Sequence, residues 1–194
     1  MAPFVPGKSG RQVSLQIKIL LVIGICLVFG GLSAAVLLAG QTFGAGLTIY
    51  ATPVEVSFPA PALVLQDISG QPISLASTRG KVVLLNNWAT WCPPCKQEMP
   101  DLQRYYKAHQ QDDFVLIAVD QSDPVADVEA FVAKYGLTFP VWMDPGNLTL
   151  TAFSNNALPN SYVIDRSGIV RLAWTGAVDL KTLEKYVTPL LEEK

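Results

Sequence analysis

The sequence predicts an α/β fold, a sandwich of helices around a central mixed β-sheet. Three observations carry that expectation. Short apolar runs rich in β-branched residues, clearest at residues 81–88 and 113–120, alternate with amphipathic segments. Between those two runs, Met99, Leu102 and Tyr105-Tyr106 fall on one face of a helix. A strand–helix–strand unit of this length implies parallel pairing through a right-handed crossover.

The chain has 194 residues, a length that favours one such domain, and hydrophobic residues make up 50% of it. The excess lies at the front. Residues 19–40 carry no charge, and about 20 apolar residues span a bilayer as a helix. Lys8, Arg11 and Lys18 precede this run, and no charge follows until Glu55. The positive-inside rule then places the N-terminus in the cytoplasm and the rest outside. The expected organisation is a cytoplasmic segment 1–18, a single transmembrane anchor 19–40, a linker 41–57 and a folded domain 58–194. The protein is then a single-pass protein of the cell membrane with its domain on the extracytoplasmic side. A cleaved signal peptide competes with this reading, because Ser33-Ala34-Ala35 offers small residues at a cleavage site. The apolar run continues through Val36-Leu37-Leu38, however, longer than a usual signal core. Cys26 falls mid-span and reads as a small apolar residue facing lipid. Beyond the anchor, 11 of the 14 Lys+Arg remain against 16 Asp+Glu, a net charge of −5. That balance argues against nucleic acid and anionic membrane surfaces as partners.

Along the domain, residues 62–66 and 72–75 flank Ser69-Gly70 as a hairpin. Residues 81–88 form the central strand. A helix runs from Pro93 to about His109, with Pro93 suited to the first helical position. Pro100 cannot bond back to the carbonyl of Lys96, so a kink is expected there. Residues 113–120 are the second buried strand. Asp123-Pro124 opens a helix that Gly136 closes after Tyr135. Residues 139–143 read as a strand and 148–153 as a short helix. Residues 160–165 and 169–174 pair around Arg166-Ser167-Gly168, and an amphipathic helix over 180–191 closes the chain.

The chemistry points to Cys92 and Cys95; Cys26 is the only other cysteine. The pair sits where a strand hands over to a helix, and a Cys-x-x-Cys beside such a unit reads as a redox dithiol. Thiol–disulfide exchange begins with a thiolate, which a helix N-terminus stabilises. Cys92, at the helix start, is the expected exposed attacker, and Cys95, one turn in, the resolving thiol. Two cysteines this close in an exported domain do not form a structural framework.

Trp88-Ala-Thr-Trp-Cys-Pro-Pro-Cys95 resembles the active site of the membrane-anchored thioredoxin-like oxidoreductases of the TlpA/ResA type. Ala60-Pro61 through Arg79-Gly80-Lys81 resembles their lead-in hairpin. Phe139-Pro-Val-Trp-Met-Asp144 and Leu158-Pro-Asn-Ser-Tyr-Val-Ile-Asp165 resemble their later strands. The likeness covers roughly residues 58–191. It implies a thioredoxin-like fold, a reversible Cys92–Cys95 disulfide and no cofactor or metal. It implies a cis bond at Pro159 beside the cysteines, with the backbone before it, at Leu158, pairing with a substrate peptide. Turn punctuation at a strand start is the plainer reading of Pro159. Ala157 stands where the family often has glycine. The likeness further implies that Glu98 handles protons for the dithiol; otherwise Glu98 is a solvated surface acid. Asn86 stands where ordinary thioredoxins bury an aspartate, and an amide cannot act as a base. Trp91, Pro93 and Pro94 complete the active-site loop, with Trp91 shielding its surface and Trp88 in the core. The partners implied are a disulfide-containing exported protein, such as apocytochrome c, and a membrane-embedded thiol electron donor.

Two rival functions stay open on the sequence. Peroxiredoxins resemble Pro-x-x-x-Thr-x-x-Cys at their reactive thiol, but Leu85 and Ala89 occupy the proline and threonine positions here. A metal carrier needs ligands beyond two thiolates, and His109 or carboxylates would have to supply them.

Overall fold

The computed structural model describes Gly24, Cys26 and residues 50–193. Apart from Gly24 and Cys26, the expected anchor lies outside the described residues, as does most of the segment before the domain. Cys26 itself is a free, exposed cysteine. Among the described residues, no helix is long and apolar enough to cross a membrane.

The domain is built on one eight-stranded sheet. Its strands are β1 (Val54–Pro59), β2 (Val64–Asp67), β3 (Pro72–Ser74), β4 (Val82–Trp88), β5 (Phe114–Asp120), β6 (Val141–Met143), β7 (Asn160–Ile164) and β8 (Ile169–Thr175). They lie in the order β1-β8-β7-β4-β5-β6-β2-β3. β4 pairs parallel with β5 and antiparallel with β7, so the sheet is mixed. Every residue of β4 is buried. A strand covered on both faces must be apolar throughout, and Val82-Val83-Leu84-Leu85 meets that demand.

Side chains alternate across a strand. Val82, Leu84 and Trp88 therefore join one core with the helices, and Val83 and Leu85 join a second core on the other face. Helix α1 (Pro93–His109) lays Cys95, Glu98, Met99, Leu102 and Tyr105 against the first face. The spacing of three and four that marked this helix in sequence is the spacing of its buried stripe. It continues through Pro100 without ending. Helix α2 (Val125–Tyr135) adds Val128 and Phe131, and Phe131 packs on Trp88 with ring centroids 4.6 Å apart. Gly136 ends it with φ 61°, a left-handed cap that glycine adopts without penalty. The short helix α3 (Leu148–Ala152) follows β6.

Three expectations need correction. The segment read as a linker, 41–57, holds the first four residues of β1, which pairs with β8 through Val54↔Ala173 and Glu55↔Leu172. The folded part therefore starts before residue 58, and the described residues 50–193 belong to one compact unit. The closing helix is two helices, α4 (Leu180–Tyr186) and α5 (Thr188–Glu192). Pro189 lies in the first turn of α5, where its missing N–H costs nothing. β6 is shorter than expected because Phe139 and Pro140 precede its ladder.

Candidate active site

β4 ends at Trp88, and the chain turns through Ala89, Thr90 and Trp91 into α1. Cys92 is the N-cap of α1, and Pro93 and Pro94 occupy its first positions. Cys92 and Cys95 form a disulfide. The two prolines have no N–H, and the first N–H of the helix, on Cys95, donates to Cys92 Sγ at 3.3 Å. That is the helix N-terminal field at its shortest range, aimed at the atom where a thiolate forms.

Cys92 is less open than expected. It is 3% exposed, against 0% for Cys95. The disulfide and its neighbours cover most of it, and its access is through a groove of about 430 Å³. Trp91, Cys92, Pro93, Pro94 and Leu158 line that groove. Five of the residues singled out in sequence thus meet at one place. Trp91 is 65% exposed at the rim, whereas Trp88 is buried. The Leu158–Pro159 peptide bond is cis. Cys95 lies beneath the groove and does not line it. Gln121, Ser122, Asn147, Leu150 and Asn156 complete the lining and were not anticipated. One signal could have found Gln121 and Ser122: they follow the carboxyl end of a central strand, where open α/β sheets place their ligands. A larger depression of about 850 Å³ lies between β1, β8 and the C-terminal helices and holds no cysteine.

Glu98 is no surface acid. Its side chain is 0% exposed, on the same face of α1 as Cys95. Asn86 Nδ2 donates to Oε1 at 2.8 Å, and the Val178 N–H donates to Oε2 at 3.0 Å. Burial raises its pKa from 4.5 to about 8, and those two hydrogen bonds hold it from rising further. At neutral pH it is therefore mostly a neutral acid. Asn86 is the bonded core amide; it also donates to Ser161 Oγ at 2.9 Å.

A second buried acid was missed. Asp120 ends β5, directly opposite Trp88 in the ladder. Burial, then the facing carboxyl of Asp123, pushes its pKa up to about 8. Its Oδ1 accepts the Asp123 N–H at 3.0 Å, and Asp123 Oδ2 accepts the Thr90 N–H at 2.5 Å. The loop before Cys92 is thus tied to the end of β5.

The comparisons agree with this geometry. The model of the AhpC/TSA family matches residues 56–173. A thiol-disulfide oxidoreductase ResA of Geobacillus thermodenitrificans is 36% identical over 148 residues, 73% of this chain and 85% of that protein. A solved thiol:disulfide interchange protein of the thioredoxin family from Chlorobium tepidum superposes with a TM-score of 0.63 at 29% identity, covering 71% of this chain and 99% of the other. StoA from Bacillus subtilis superposes with a TM-score of 0.58 at 27% identity, covering 68% and 99%.

The acids give a pH signature. The folded protein keeps the Glu98 proton up to about pH 8, while the unfolded chain releases it near 4.5. Between those values the folded state binds more protons, so stability falls as pH rises. Asp120 acts in the same direction. Urea unfolding of the oxidised protein should show stability declining from pH 5 to 8. Glu98→Gln should make the decline shallower by up to about 1.4 kcal/mol per pH unit. Equal slopes in the two proteins would mean that Glu98 is ionised in the fold.

Proposed function

The chain belongs to the AhpC/TSA family as a thiol–disulfide oxidoreductase of the ResA type, and on that footing we propose that it is a membrane-tethered reductase of disulfides in exported proteins. The observation that carries the redox role is the Cys92–Cys95 disulfide at the N-terminus of α1, with Cys92 lining a groove of about 430 Å³.

In the reduced protein, the Cys92 thiolate attacks one sulfur of a partner's disulfide. That bond breaks, a mixed disulfide forms, and the partner's other sulfur leaves as a thiolate that takes up a proton. Cys95 then loses its proton and attacks Cys92 Sγ. The Cys92–Cys95 disulfide forms, and the partner leaves carrying two electrons. Glu98, one turn after Cys95 on the same face, takes that proton in its ionised form, a minor fraction at neutral pH that grows toward pH 8. Leu158 offers its backbone to the partner from the far side of the groove. A thiol donor in the membrane restores the dithiol, and residues 19–40 tether the domain near it. Apocytochrome c is the substrate that the family likeness suggests.

The surroundings of Cys92 support reduction rather than oxidation as the direction. Strong oxidants of this chemistry owe their potency to a stabilised thiolate. Here two prolines remove donors from the first turn, and the Cys95 N–H is the donor that remains on Sγ. No histidine stands between the cysteines. A thiolate held by one backbone donor, without a neighbouring cation between the cysteines, is less stabilised than in such oxidants, and this supports the reading of the dithiol as a reductant. No observation favours the peroxidase reading over this one, and Leu85 and Ala89 still depart from that pattern.

Three outcomes test the proposal. Cys95→Ser should accumulate mixed disulfides through Cys92, and mass spectrometry of the trapped species should identify an exported protein. Trapping through Cys92→Ser instead would reverse the two roles. A glutathione redox titration should place the midpoint nearer to about −270 mV, as in thioredoxin, than to about −120 mV. A midpoint above about −180 mV would favour an oxidase or isomerase. Protease added to spheroplasts should digest the domain. Protection until the membrane is lysed would put the domain on the cytoplasmic side.

A further inference from the structure

The face of the sheet opposite Glu98 carries a second set of buried polar side chains. Asn160 begins β7, Asn87 lies in β4, Gln121 follows β5 and Asp144 follows β6. β7, β4, β5 and β6 are neighbours in the sheet. The four residues therefore form a row across four adjacent strands, about 14 Å from end to end at one strand spacing per step. Thr149 in α3 completes the set. All five are buried.

They are joined by hydrogen bonds into one chain. Asn160 Nδ2 donates to the carbonyl of Ala157 at 2.6 Å and to that of Asn155 at 3.4 Å. Asn87 Nδ2 donates to Asn160 Oδ1 at 2.8 Å. Gln121 Nε2 donates to Asn87 Oδ1 at 3.1 Å, to Thr149 Oγ1 at 2.9 Å and to the Val119 carbonyl at 3.3 Å. Thr149 Oγ1 donates to Asp144 Oδ2 at 2.5 Å. The Asp144 carboxylate also accepts the N–H groups of Leu148 and Thr149, both at 2.8 Å. Gln121 Oε1 has no protein partner, so its nitrogen alone orients that amide.

The ends of this chain are the two walls of the Cys92 groove. At one end, Ala157 and Asn155 belong to the loop that carries Asn156 and Leu158 into the groove. At the other, Asp144 and Thr149 hold the start of α3, which carries Asn147 and Leu150 into it. Gln121 is both a link of the chain and part of the groove floor. A buried polar group left without a partner is costly, so a row in which every member is bonded to the next, with only Gln121 Oε1 unpaired, strongly favours one arrangement. An apolar row would tolerate small sliding of its members; this row does not.

We propose that Asn160, Asn87, Gln121, Thr149 and Asp144 form a positioning network that fixes the separation of the two walls, and so the fit of an extended, disulfide-bearing protein segment lying across both. The inference rests on the oxidoreductase reading and deepens it. Asn87 and Thr149 do not line the groove; they act through the residues that do. A ligand small enough to touch Cys92 alone is indifferent to the distance between the walls. A peptide that contacts Leu158 on one side and Leu150 on the other is not.

The test uses the full-length protein in detergent and two substrates, a disulfide-bonded unfolded protein and hydroxyethyl disulfide. Thr149→Val removes one hydroxyl at nearly constant volume. It should raise KM for the protein substrate about fivefold, the scale of one lost hydrogen bond. The rate with hydroxyethyl disulfide and the midpoint potential should stay put. Thr149→Ser, which keeps the hydroxyl, should behave as wild type. Asn87→Leu should match Thr149→Val, and the double variant should be no worse than the worse single, because both cut one connection. An unchanged KM in folded Thr149→Val, an equal loss on both substrates, or a Thr149→Ser that fails like valine would each overturn the network. If Asn87→Leu does not fold, the Thr149 pair decides alone. A wild type that reduces neither substrate would overturn the parent reading and this inference with it; a wild type active on both, with Thr149→Val unaltered, overturns this inference only.

Discussion

The structure depends on β4 being buried on both faces. Its first four residues are aliphatic, and full burial of each contributes about 1.5–3 kcal/mol. That fixes the register of the strand against β5 and β7. Because successive side chains point to opposite faces, the same register sends Asn86 toward α1 and Asn87 toward α3. A slip of one residue would exchange the two amides and strand Glu98 without its donor. The strand also sets where the chain leaves the sheet, four residues before Cys92. One apolar run thereby determines the polar environment on both sides of the cysteine pair.

Much of this was legible in the sequence. β4, β5, α1 and α2 fall within a residue or two of their expected limits, because their apolar periodicity reports burial directly. β1 was missed although Val54, Val56 and Phe58 alternate with Glu55 and Ser57. It is an edge strand with little burial, and its partner lies more than a hundred residues later in the chain. The break between α4 and α5 had a signal in Pro189, which the amphipathic pattern on both sides concealed. Within the site, Cys92 and Cys95 declared themselves by spacing, whereas Glu98, Leu158 and Pro159 were legible only through family likeness. Asn87, Thr149, Asp144 and Asn160 were invisible, and Gln121 had only its place after a central strand to mark it. An isolated polar residue reads as solvated, and its burial is decided by partners on other strands that no local pattern reveals.

The two faces of the sheet divide the labour around the cysteines. On the α1 side, burial keeps Glu98 neutral while leaving it able to exchange a proton near pH 8. On the α3 side, the polar groups are amides, a hydroxyl and one carboxylate that accepts three bonds, an arrangement suited to holding shape. The groups proposed for proton traffic and for peptide fit are thus separate, joined through adjacent residues of β4. Asp120 and Asp123 stand on the α1 side at the end of β5 and tie down Thr90, so the loop that presents Trp91 and Cys92 is held from behind as well.

Cys92 and Cys95 are only three positions apart, so their bond closes a very short ring. Chain-entropy arguments give such a ring about 2 kcal/mol of constraint on the unfolded chain, against about 4.7 for one of 100 residues. Opening it therefore forfeits little of the free energy that holds the domain together. Folding and reduction form a closed thermodynamic cycle. The stability difference between the oxidised and reduced domain equals the difference in bond strength between the domain and an unstructured peptide of the same sequence. About 1.4 kcal/mol on that cycle corresponds to about 30 mV. A few local contacts at the start of one helix are enough to set the redox poise, at little cost to the stability of the rest of the domain.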